Sequence, residues 1–588
     1  MPATFKIHPS IGVARLGDSP TEFYLSPDAE HTLPVQCNPD GSAKLDAAGH
    51  EIPVEKFKDP QNRIKRQAAR FRVFVYDEAA PTGRELRLGD PLTIVNRNNG
   101  QSIDAQVTDV TWTVHLANKK AAWYEFDTTN GEHGYDKKHK LRNAEITDKH
   151  LRSRLIIDAG PRSVNLISGP GAPAVTSAEF SRQKNPLIPQ SFPPPLVPNS
   201  IDTLGEIKVC QQDHSSRLVV LGGFGNSGSA ATGLGQPFVD HYANNDGWFD
   251  DTSDGPVTAL INYTILKVDG RPPVNPGSTG VVAVDDPAWC IVGYPRYVPE
   301  ISDVITMDDL LFDVAVRFFR AHPEIYGTAG QPPITRADLD HWRATATWNR
   351  NYRPYFWRDI FPILDRPQYF NFVTDPGQML GGDPHNATPG TQGQLDPDQL
   401  SLPPGDPNVP GSDPFGGKRR FVYSILRKPG DENDYTLPSP WDPTKKFPGM
   451  PLLCGDNCLT NIAPSKFLRL TDTQLFFLKQ WADGKFVNER LENITVTVPP
   501  GEALDHGALA TMLGGAFCPG AEACWIMRNP AIYAKPYRIN VSDDFLPHPD
   551  QPYRIPVTLS LKTDLNTGLE PGDLTKYGAL PWQTDFNE

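Results

Sequence analysis

The first 300 residues are built from short apolar runs separated by turn residues. Residues 71–76 read FRVFVY, and in residues 107–116 (VTDVTWTVHL) apolar side chains recur at every second position apart from one slip. A period of two places such side chains on one face of a β-strand. Residues 155–157 and 217–221 are further short runs of this type. The Gly-Gly-Phe-Gly after the second run precedes no helical pattern, so it is not a dinucleotide fingerprint.

Helical spacing appears only after residue 300. Residues 308–321 predict the first helix, because six apolar residues share one helical face: Leu310, Leu311, Val314, Ala315, Phe318 and Phe319. Residues 335–349 predict a second helix. The clearest one begins at Thr471 or Asp472, which are good N-caps, and ends at Gly484.

Strand patterns return towards the C-terminus, at residues 494–498 (ITVTV) and within residues 536–562. Residues 186–198 are proline-rich and predict a linker, and residues 375–418 predict a long surface loop or lid. The chain holds 60 prolines and 48 glycines in 588 residues. So many turn-forming residues favour short strands and long ordered loops over a helical bundle.

The predicted fold class is mainly β with helical insertions (α+β), a large β-rich body with long Pro/Gly-rich loops. We divide it into an N-terminal β-rich region (residues 1–200), a second β-rich region (201–300) and a mixed helical and β region (301–588). A single compact body with insertions fits the same patterns.

Charge and hydropathy remove several classes of function. The formal net charge is −14 and the sequence pI is about 5.5, which disfavours binding to nucleic acid or to an anionic membrane surface. The chain has no run of 18 apolar residues and no secretory signal at its start. We therefore expect no membrane span, and a location in the cytoplasm or export by a non-classical route.

Metal binding is not expected from the cysteines or from the acidic residues. The seven cysteines are an odd number in a long chain, which argues against a disulfide framework. Cys454 and Cys458 are four apart, but no second pair completes a zinc site. Residues 244–256 (NNDGWFDDTSDGP) miss the EF-hand spacing, so we predict a solvated turn there.

Five irregular segments are spread along the chain. They are residues 7–17 (IHPSIGVARLG), 112–126 (WTVHLANKKAAWYEF), 450–457 (MPLLCGDN), 514–522 (GGAFCPGAE) and 579–586 (ALPWQTDF). Together and in this order they resemble the LodA/GoxA-like family of quinone-dependent amine and amino-acid oxidases, of the L-lysine ε-oxidase and glycine oxidase type. The resemblance spans nearly the whole chain.

The resemblance implies a cofactor made from the chain itself. It is cysteine tryptophylquinone, a thioether between a cysteine and an oxidised indole, and the matching residues here are Cys518 and Trp582. From the residues alone, Cys518 is a small core residue on a Gly/Pro turn and Trp582 is a packing anchor. Rival pairings are Cys524 with Trp582 and Cys454 with Trp525.

The implied reaction is the oxidative deamination of a primary amine or amino acid. The amine forms a Schiff base with the quinone, a general base removes the neighbouring proton, and hydrolysis releases an aldehyde or a 2-oxo acid. Oxygen reoxidises the cofactor, so ammonia and hydrogen peroxide are the products. The candidate bases are Asp456, Glu522 and His506, which follows Asp505. Taken singly, an acid at such a position more often caps a turn or pairs with a cation.

Substrate contacts and partners are expected from the same resemblance. Arg528 is a candidate for a fork that binds an amino-acid carboxylate, and Cys454 and Trp525 are candidates for lining the substrate pocket. A flavoprotein that helps to install the oxygens is the implied maturation partner, and a homo-oligomer is compatible with the family. The sequence stops at Glu588, whereas many relatives continue, and this puts substrate preference in question.

Two other classes of function compete with the oxidase. One is a noncatalytic, unmatured relative that acts as a β-rich binding protein, with Cys518 and Trp582 unmodified. The other is a hydrolase or carbohydrate-active protein with paired carboxylates, although no spacing in the sequence marks such a pair.

Overall fold

The structure is a computed structural model of the 588-residue chain. It describes all residues except 1, 31, 97–98, 124–140, 168–173, 182–199, 230–238, 240–243, 297–300, 328–337, 371–395, 407, 432–433, 435, 440–441, 452–466, 516–522, 548–557, 563–564 and 587–588. At positions 340, 368, 370, 448, 524, 525, 585 and 586 it describes the backbone alone.

One curled sheet dominates the described part of the chain. Its 17 strands are β1 (Thr4–His8), β2 (Ile11–Arg15), β3 (Phe23–Leu25), β4 (Val35–Gln36), β5 (Arg66–Tyr76), β6 (Arg84–Glu85), β7 (Pro91–Val95), β8 (Ser102–Val114), β9 (Ala117–Asn118), β10 (Ile157–Asp158), β11 (Arg162–Val164), β12 (Ser177–Ser181), β13 (Thr203–Gln212), β14 (Ser215–Gly222), β17 (Ser253–Val268), β18 (Thr279–Ala283) and β19 (Ala288–Gly293). Three small pairs complete the set: β15 (Ser227–Ser229) with β16 (Trp248–Asp250), β20 (Thr436–Pro438) with β21 (Lys446–Pro448), and β22 (Tyr533–Lys535) with β23 (Arg538–Ile539).

Strand β17 is the longest and organises one half of the sheet. It pairs antiparallel with β8 along most of its length, with β19 at its start and with β18 near its end. Asn262 and Tyr263 are adjacent on β17, yet they pair with Asp109 and Val107. Thr108 therefore lies in a bulge, and this bulge is the slip seen in the alternating sequence pattern of β8.

Strand β5 is buried on both faces although it carries three arginines. Only Tyr76 at its end is partly exposed. The guanidinium group of Arg70 donates to both carboxylate oxygens of Glu51, at 2.8 and 2.9 Å, and Arg66 donates to the carbonyl of Gly222 at 3.1 Å. Because their charges are paired, these arginines can be buried within the sheet. The strand therefore begins at Arg66, five residues before the apolar run at residues 71–76 that predicts it.

The helices lie mostly after residue 300. They are α1 (Lys149–Ser153), α2 (Met307–Phe319), α3 (Leu339–Thr345), α4 (Phe361–Asp365), α5 (Pro397–Leu400), α6 (Gly416–Ile425), α7 (Asp472–Ala482), α8 (Pro500–Leu509) and α9 (Cys524–Met527). Helices α2 and α7 begin with capping boxes, in which Thr306 and Thr471 are the N-caps. Both helices were predicted, and Gly484 ends α7 with a φ of +76°.

Three strand predictions differ from the structure. Residues 494–498 form no strand, and Ile494 and Val498 are 37 % and 47 % exposed, because no neighbouring strand pairs with this alternating segment. Of the short strands predicted within residues 536–562, the described part contains only β23; residues 558–562 are irregular, and residues 548–557 lie outside the described residues. Of residues 155–157, only Ile157 belongs to a strand, the two-residue β10.

The predictions for the long loops and for the second helix agree with the structure only in part. The described part of residues 375–418 contains α5 and the start of α6, so the prediction of one long loop is wrong there. The second predicted helix is shorter than residues 335–349, because it is α3 alone and residues 335–337 lie outside the described residues. The proline-rich linker at residues 186–198 also lies outside them.

The mainly β fold with helical insertions is confirmed. Strands from residues 1–200 and 201–300 share one sheet, since β5 pairs with β14 and β8 with β17. The division at residues 200 and 300 stays a prediction. Across the described ranges, no helix is long and apolar enough to cross a bilayer.

The capping box of α7 gives a test of local stability. Thr471 accepts a hydrogen bond from the backbone N–H of Gln474, and the Gln474 side chain accepts one from the backbone N–H of Thr471. Thr471→Ala should destabilise the helix by about 1 kcal/mol, or about fivefold in local opening. Hydrogen exchange of peptides covering residues 472–482 should therefore quicken, whereas Thr471→Ser, which keeps the hydroxyl, should exchange like the parent chain.

Candidate active site

The C-terminal segment that carries Trp582 is anchored to the sheet by a buried acid at the start of β17. Asp254 accepts hydrogen bonds from the backbone N–H groups of Leu574 and Thr575, at 3.1 and 2.8 Å, and from the Thr575 hydroxyl at 2.6 Å. The indole N–H of Trp289 donates to the same carboxylate at 3.0 Å. Burial raises the pKa of Asp254 to about 6, although these donors act in the opposite direction.

A second anchor is a buried ion network. The ammonium group of Lys119 lies 2.9 Å from both Glu570 and Asp573, and Lys576 lies 3.0 Å from Asp573. Burial alone would raise the pKa of Asp573, but the two lysines lower it to about 2. Lys576 also stands over the ring of Trp123, 4.0 Å from its centre. Lys119 and Trp123 are therefore tied to the C-terminal segment by charge.

Trp582 is held from three directions. Its backbone N–H donates to Asp250 at 3.0 Å, and its indole N–H donates to the carbonyl of Gly225 at 3.3 Å. Tyr294 stacks against the indole with 5.6 Å between ring centres and 28° between planes. The ammonium group of Lys120 lies 5.4 Å from the centre of the Tyr294 ring. Trp582 is 6 % exposed, and these contacts fix both the position and the orientation of its indole.

Asp250 is the polar centre of this arrangement. Its Oδ2 atom lies 2.9 Å from the ammonium group of Lys120, which also donates to the carbonyl of Ala579 at 2.8 Å. Its Oδ1 atom accepts from the amide of Asn118 and from the hydroxyl of Thr252, at 2.9 and 2.7 Å. Asp250 is fully buried, and its charge is stabilised by Lys120 and these donors.

The prediction of a solvated turn over residues 244–256 is wrong. Asp250, Asp251 and Asp254 are at most 1 % exposed, because each faces a cation or backbone N–H groups. Within the part of the chain that the structure describes, no group of three metal-ligating side chains is assembled.

Several predicted site residues lie outside the described residues. These are Cys454, Asp456, Cys518 and Glu522. Trp525 belongs to α9, for which its backbone alone is described. Arg528 follows α9 directly, and burial lowers the pKa of its guanidinium group to about 10. The proposed roles of these residues stay predictions.

The structure places His506 against an acid on another helix. Its Nδ1 atom lies 2.7 Å from Asp308 of α2, and its ring packs edge-on against Tyr537. Burial lowers the pKa of His506, but the charge and hydrogen bond of Asp308 outweigh it and raise the pKa to about 9. The ring is therefore protonated at neutral pH, which does not suit a general base.

The neighbouring Asp505 has a different partner. Its carboxylate lies 2.9 Å from Nδ1 of His8, in the first of the five segments. Burial would raise the pKa of Asp505, but the charge of His8 and the hydrogen bonds to it lower the pKa. Asp505 thus ties helix α8 to the N-terminal strands.

Sequence reasoning missed Lys120, Asp250, Tyr294 and Gly225. Lysines inside the otherwise apolar segment 117–123 (ANKKAAW), together with paired acids in residues 248–251 (WFDD), are a usable signal of a buried ion pair. Nothing in the local sequence marks Tyr294 or Gly225, because long-range folding brings both to Trp582.

A β-rich body that holds a buried tryptophan near its C-terminus is the structural feature that sets the class of this protein. Comparisons with known proteins give the same class. A family model described as "L-Lysine epsilon oxidase N-terminal" matches residues 8–272, and one described as "L-lysine epsilon oxidase C-terminal domain" matches residues 451–588. The chain belongs to the L-lysine ε-oxidase (LodA) family, as its segments predict.

Individual relatives agree over nearly the whole chain. It is 31 % identical to the L-lysine 6-oxidase of Marinomonas mediterranea over 614 residues, covering 99 % of this chain and 70 % of that protein. A crystal structure of the L-Lys ε-oxidase from the same organism and one of its Schiff base intermediate with L-Lys are similar to this chain at a TM-score of 0.70 and 30 % identity. They match 99 % of this chain and 74 and 75 % of the respective chains.

The pairing of Lys120 with Asp250 predicts a large cost when one partner is removed. Lys120→Met leaves a buried, uncompensated carboxylate and should lower the free energy of unfolding by about 3–5 kcal/mol. The double variant Lys120→Met/Asp250→Asn should lose less, because no charge is left unpaired. Urea denaturation measures both. In the exposed pair Lys479–Asp483, Lys479→Met should cost about 1 kcal/mol or less. A Lys120→Met chain as stable as the parent would contradict the account.

The His506–Asp308 pair predicts a pH-dependent stability. Because the folded-state pKa of about 9 exceeds the ordinary value of 6.5, the pair stabilises the fold fully below pH 6.5 and less as pH rises through about 9. The difference in Tm between the parent and His506→Gln should shrink over that window. His50→Gln, at a histidine whose side chain is 80 % exposed, should change Tm little at any pH. A constant difference for His506→Gln would refute the assignment.

Proposed function

We propose that this chain oxidises the primary amine of an amino acid with a cysteine tryptophylquinone built from Cys518 and Trp582. Family membership supports amino-acid oxidation, and the L-lysine 6-oxidase relative makes L-lysine the first substrate to test. The observation that carries the proposal is the setting of Trp582, whose indole is buried, stacked and hydrogen-bonded.

The described residues around Trp582 fit such a cofactor. A cross-linked ring must stay in one orientation, and Trp582 is fixed through Gly225, Asp250 and Tyr294. When formed, the quinone supplies an electrophilic carbonyl and accepts two electrons from the amine. A flavoprotein partner is proposed to help install its oxygens, and ammonia and hydrogen peroxide are the expected products.

The side chains around Trp582 shield its indole and fix its backbone. Tyr294 covers one face of the indole and excludes water from it. Lys120 and Asp250 cancel each other's charge, so their pair fixes the backbone of Trp582 without adding a net charge of its own.

We assign proton abstraction to a carboxylate, Asp456 or Glu522, rather than to His506. The reason is that His506 carries a proton at neutral pH. Arg528 remains the proposed partner of the amino-acid carboxylate, and Cys454 and Trp525 the proposed pocket lining.

Peptide mapping of the chain coexpressed with its flavoprotein partner tests the cofactor. A gain of two oxygens and a loss of four hydrogens should make the joined peptides that contain Cys518 and Trp582 about 28 Da heavier than their summed masses. Cys518→Ser and Trp582→Phe should each abolish the cross-link, whereas Cys524→Ser should retain it. Two separate, unmodified peptides after coexpression would refute the proposal and favour the noncatalytic relative.

A further inference from the structure

A tight turn presents the hydrogen-bond acceptor to Trp582. This turn, residues 222–226, follows strand β14, and Gly225 within it has a φ of +80°. The carbonyl of Gly225 accepts from the indole N–H of Trp582 and from the side-chain amide of Gln583, both at 3.3 Å. The position of one carbonyl thus decides how the indole nitrogen is bound.

The carboxylate of Asp251 holds the 222–226 turn in place. Its Oδ2 atom accepts from the backbone N–H of Asn226 at 3.0 Å, and the backbone N–H of Asp251 donates to the Asn226 carbonyl at 3.1 Å. The N–H groups of Phe224 and Gly225 also stabilise the carboxylate. A Cβ atom at position 223 would collide with Oδ2, so the turn closes tightly over the acid. Successive backbone N–H groups around one anion form a nest.

Asp251 is almost completely buried. It is 1 % exposed, and its Oδ1 atom has no hydrogen-bond partner among the described residues. Burial raises the pKa of Asp251 to about 7, with Asp250 adding to the effect and the N–H groups of the turn opposing it. The acid is therefore half-protonated near neutral pH.

Few charged groups face this acid from the elements around it. Asp250 lies on its own segment and is paired with Lys120. Arg66 of β5 stacks on Phe224 of the turn and pairs with Glu206 of β13. Burial lowers the pKa of Arg66, while the charges of Glu206 and Asp251 act in the opposite direction. The two cations near Asp251, Lys120 and Arg66, therefore each have another carboxylate as their ion-pair partner.

We propose that Asp251 is a positioning residue for Trp582: its carboxylate holds the Gly225 carbonyl on the indole N–H, and protonation of the carboxyl loosens that hydrogen bond. The proposal deepens the proposed function, because Trp582 would be the cofactor ring. Its geometry is nevertheless a property of the unmodified chain, so it can be tested without the quinone.

The test follows the indole N–H of Trp582 by NMR. The chain is labelled with ¹⁵N at the tryptophan indoles and produced without the flavoprotein partner, and the resonance is assigned by its loss in Trp582→Phe. In the parent chain it should shift with pH, with a midpoint near the pKa of Asp251, about 7. In Asp251→Asn it should be displaced and no longer follow pH with that midpoint.

Trp481 provides an internal control in the same spectrum. Its buried indole N–H donates to the carbonyl of Leu400 at 3.0 Å. The Trp481 resonance should not follow pH with the midpoint seen for Trp582. Gly223→Ala, which displaces the Asp251 carboxyl without removing it, is a second variant and should also move the Trp582 resonance.

Two results would overturn the proposal. One is a Trp582 resonance that does not move between pH 5 and 9 in the parent chain, and this result needs no variant that folds. The other is the same titration in Asp251→Asn. Peptide mapping decides separately whether the quinone forms, so failure of the proposed function and failure of this inference are distinguishable.

Discussion

The buried pair of Lys120 and Asp250 is the interaction on which the site depends. A lysine and an aspartate that are both out of water are costly unless they meet, and here they meet at 2.9 Å with the remaining acceptor positions filled. The same carboxylate fixes the backbone of Trp582, and the same ammonium binds the carbonyl of Ala579. Breaking the pair would therefore release the C-terminal segment as well as expose a charge.

The other buried acids extend this principle. Asp254 and the Lys119 network hold residues 570–576 against the sheet, while Asp251 shapes the turn that faces the indole. Asp251 and Asp254 accept from backbone N–H groups, whereas Glu570 and Asp573 face Lys119. The outcome is a tryptophan whose backbone and indole are both held by buried groups. The proposed thioether between Trp582 and a cysteine requires such fixed positioning.

The sequence pattern predicted what depends on local periodicity. Strand β8 and helices α2 and α7 were read from their spacing, and even the bulge at Thr108 left a mark in the pattern. The strand predicted at residues 494–498 is absent, because an alternating pattern does not show whether a partner strand exists.

The candidate site was predicted only as far as the family segments reach. They identified Trp582 and contain Lys120, but they did not mark Asp250, Tyr294 or Gly225. The sequence pattern predicts a solvated turn at Asp250 and Asp251. That prediction is wrong because the burial of an acid depends on partners more than 100 residues away, such as Lys120 for Asp250. Tyr294 and Gly225 meet Trp582 across nearly 300 residues or more of chain, and no local signal encodes that.

The most direct test of the central claim is a crystal structure of the chain coexpressed with the proposed flavoprotein partner. The proposed cofactor predicts continuous electron density from the Sγ atom of Cys518 to the indole of Trp582. The indole N–H should still face Gly225, and the backbone N–H should still face Asp250. Separate density for the two side chains, or a thioether from Cys524 instead, would contradict it.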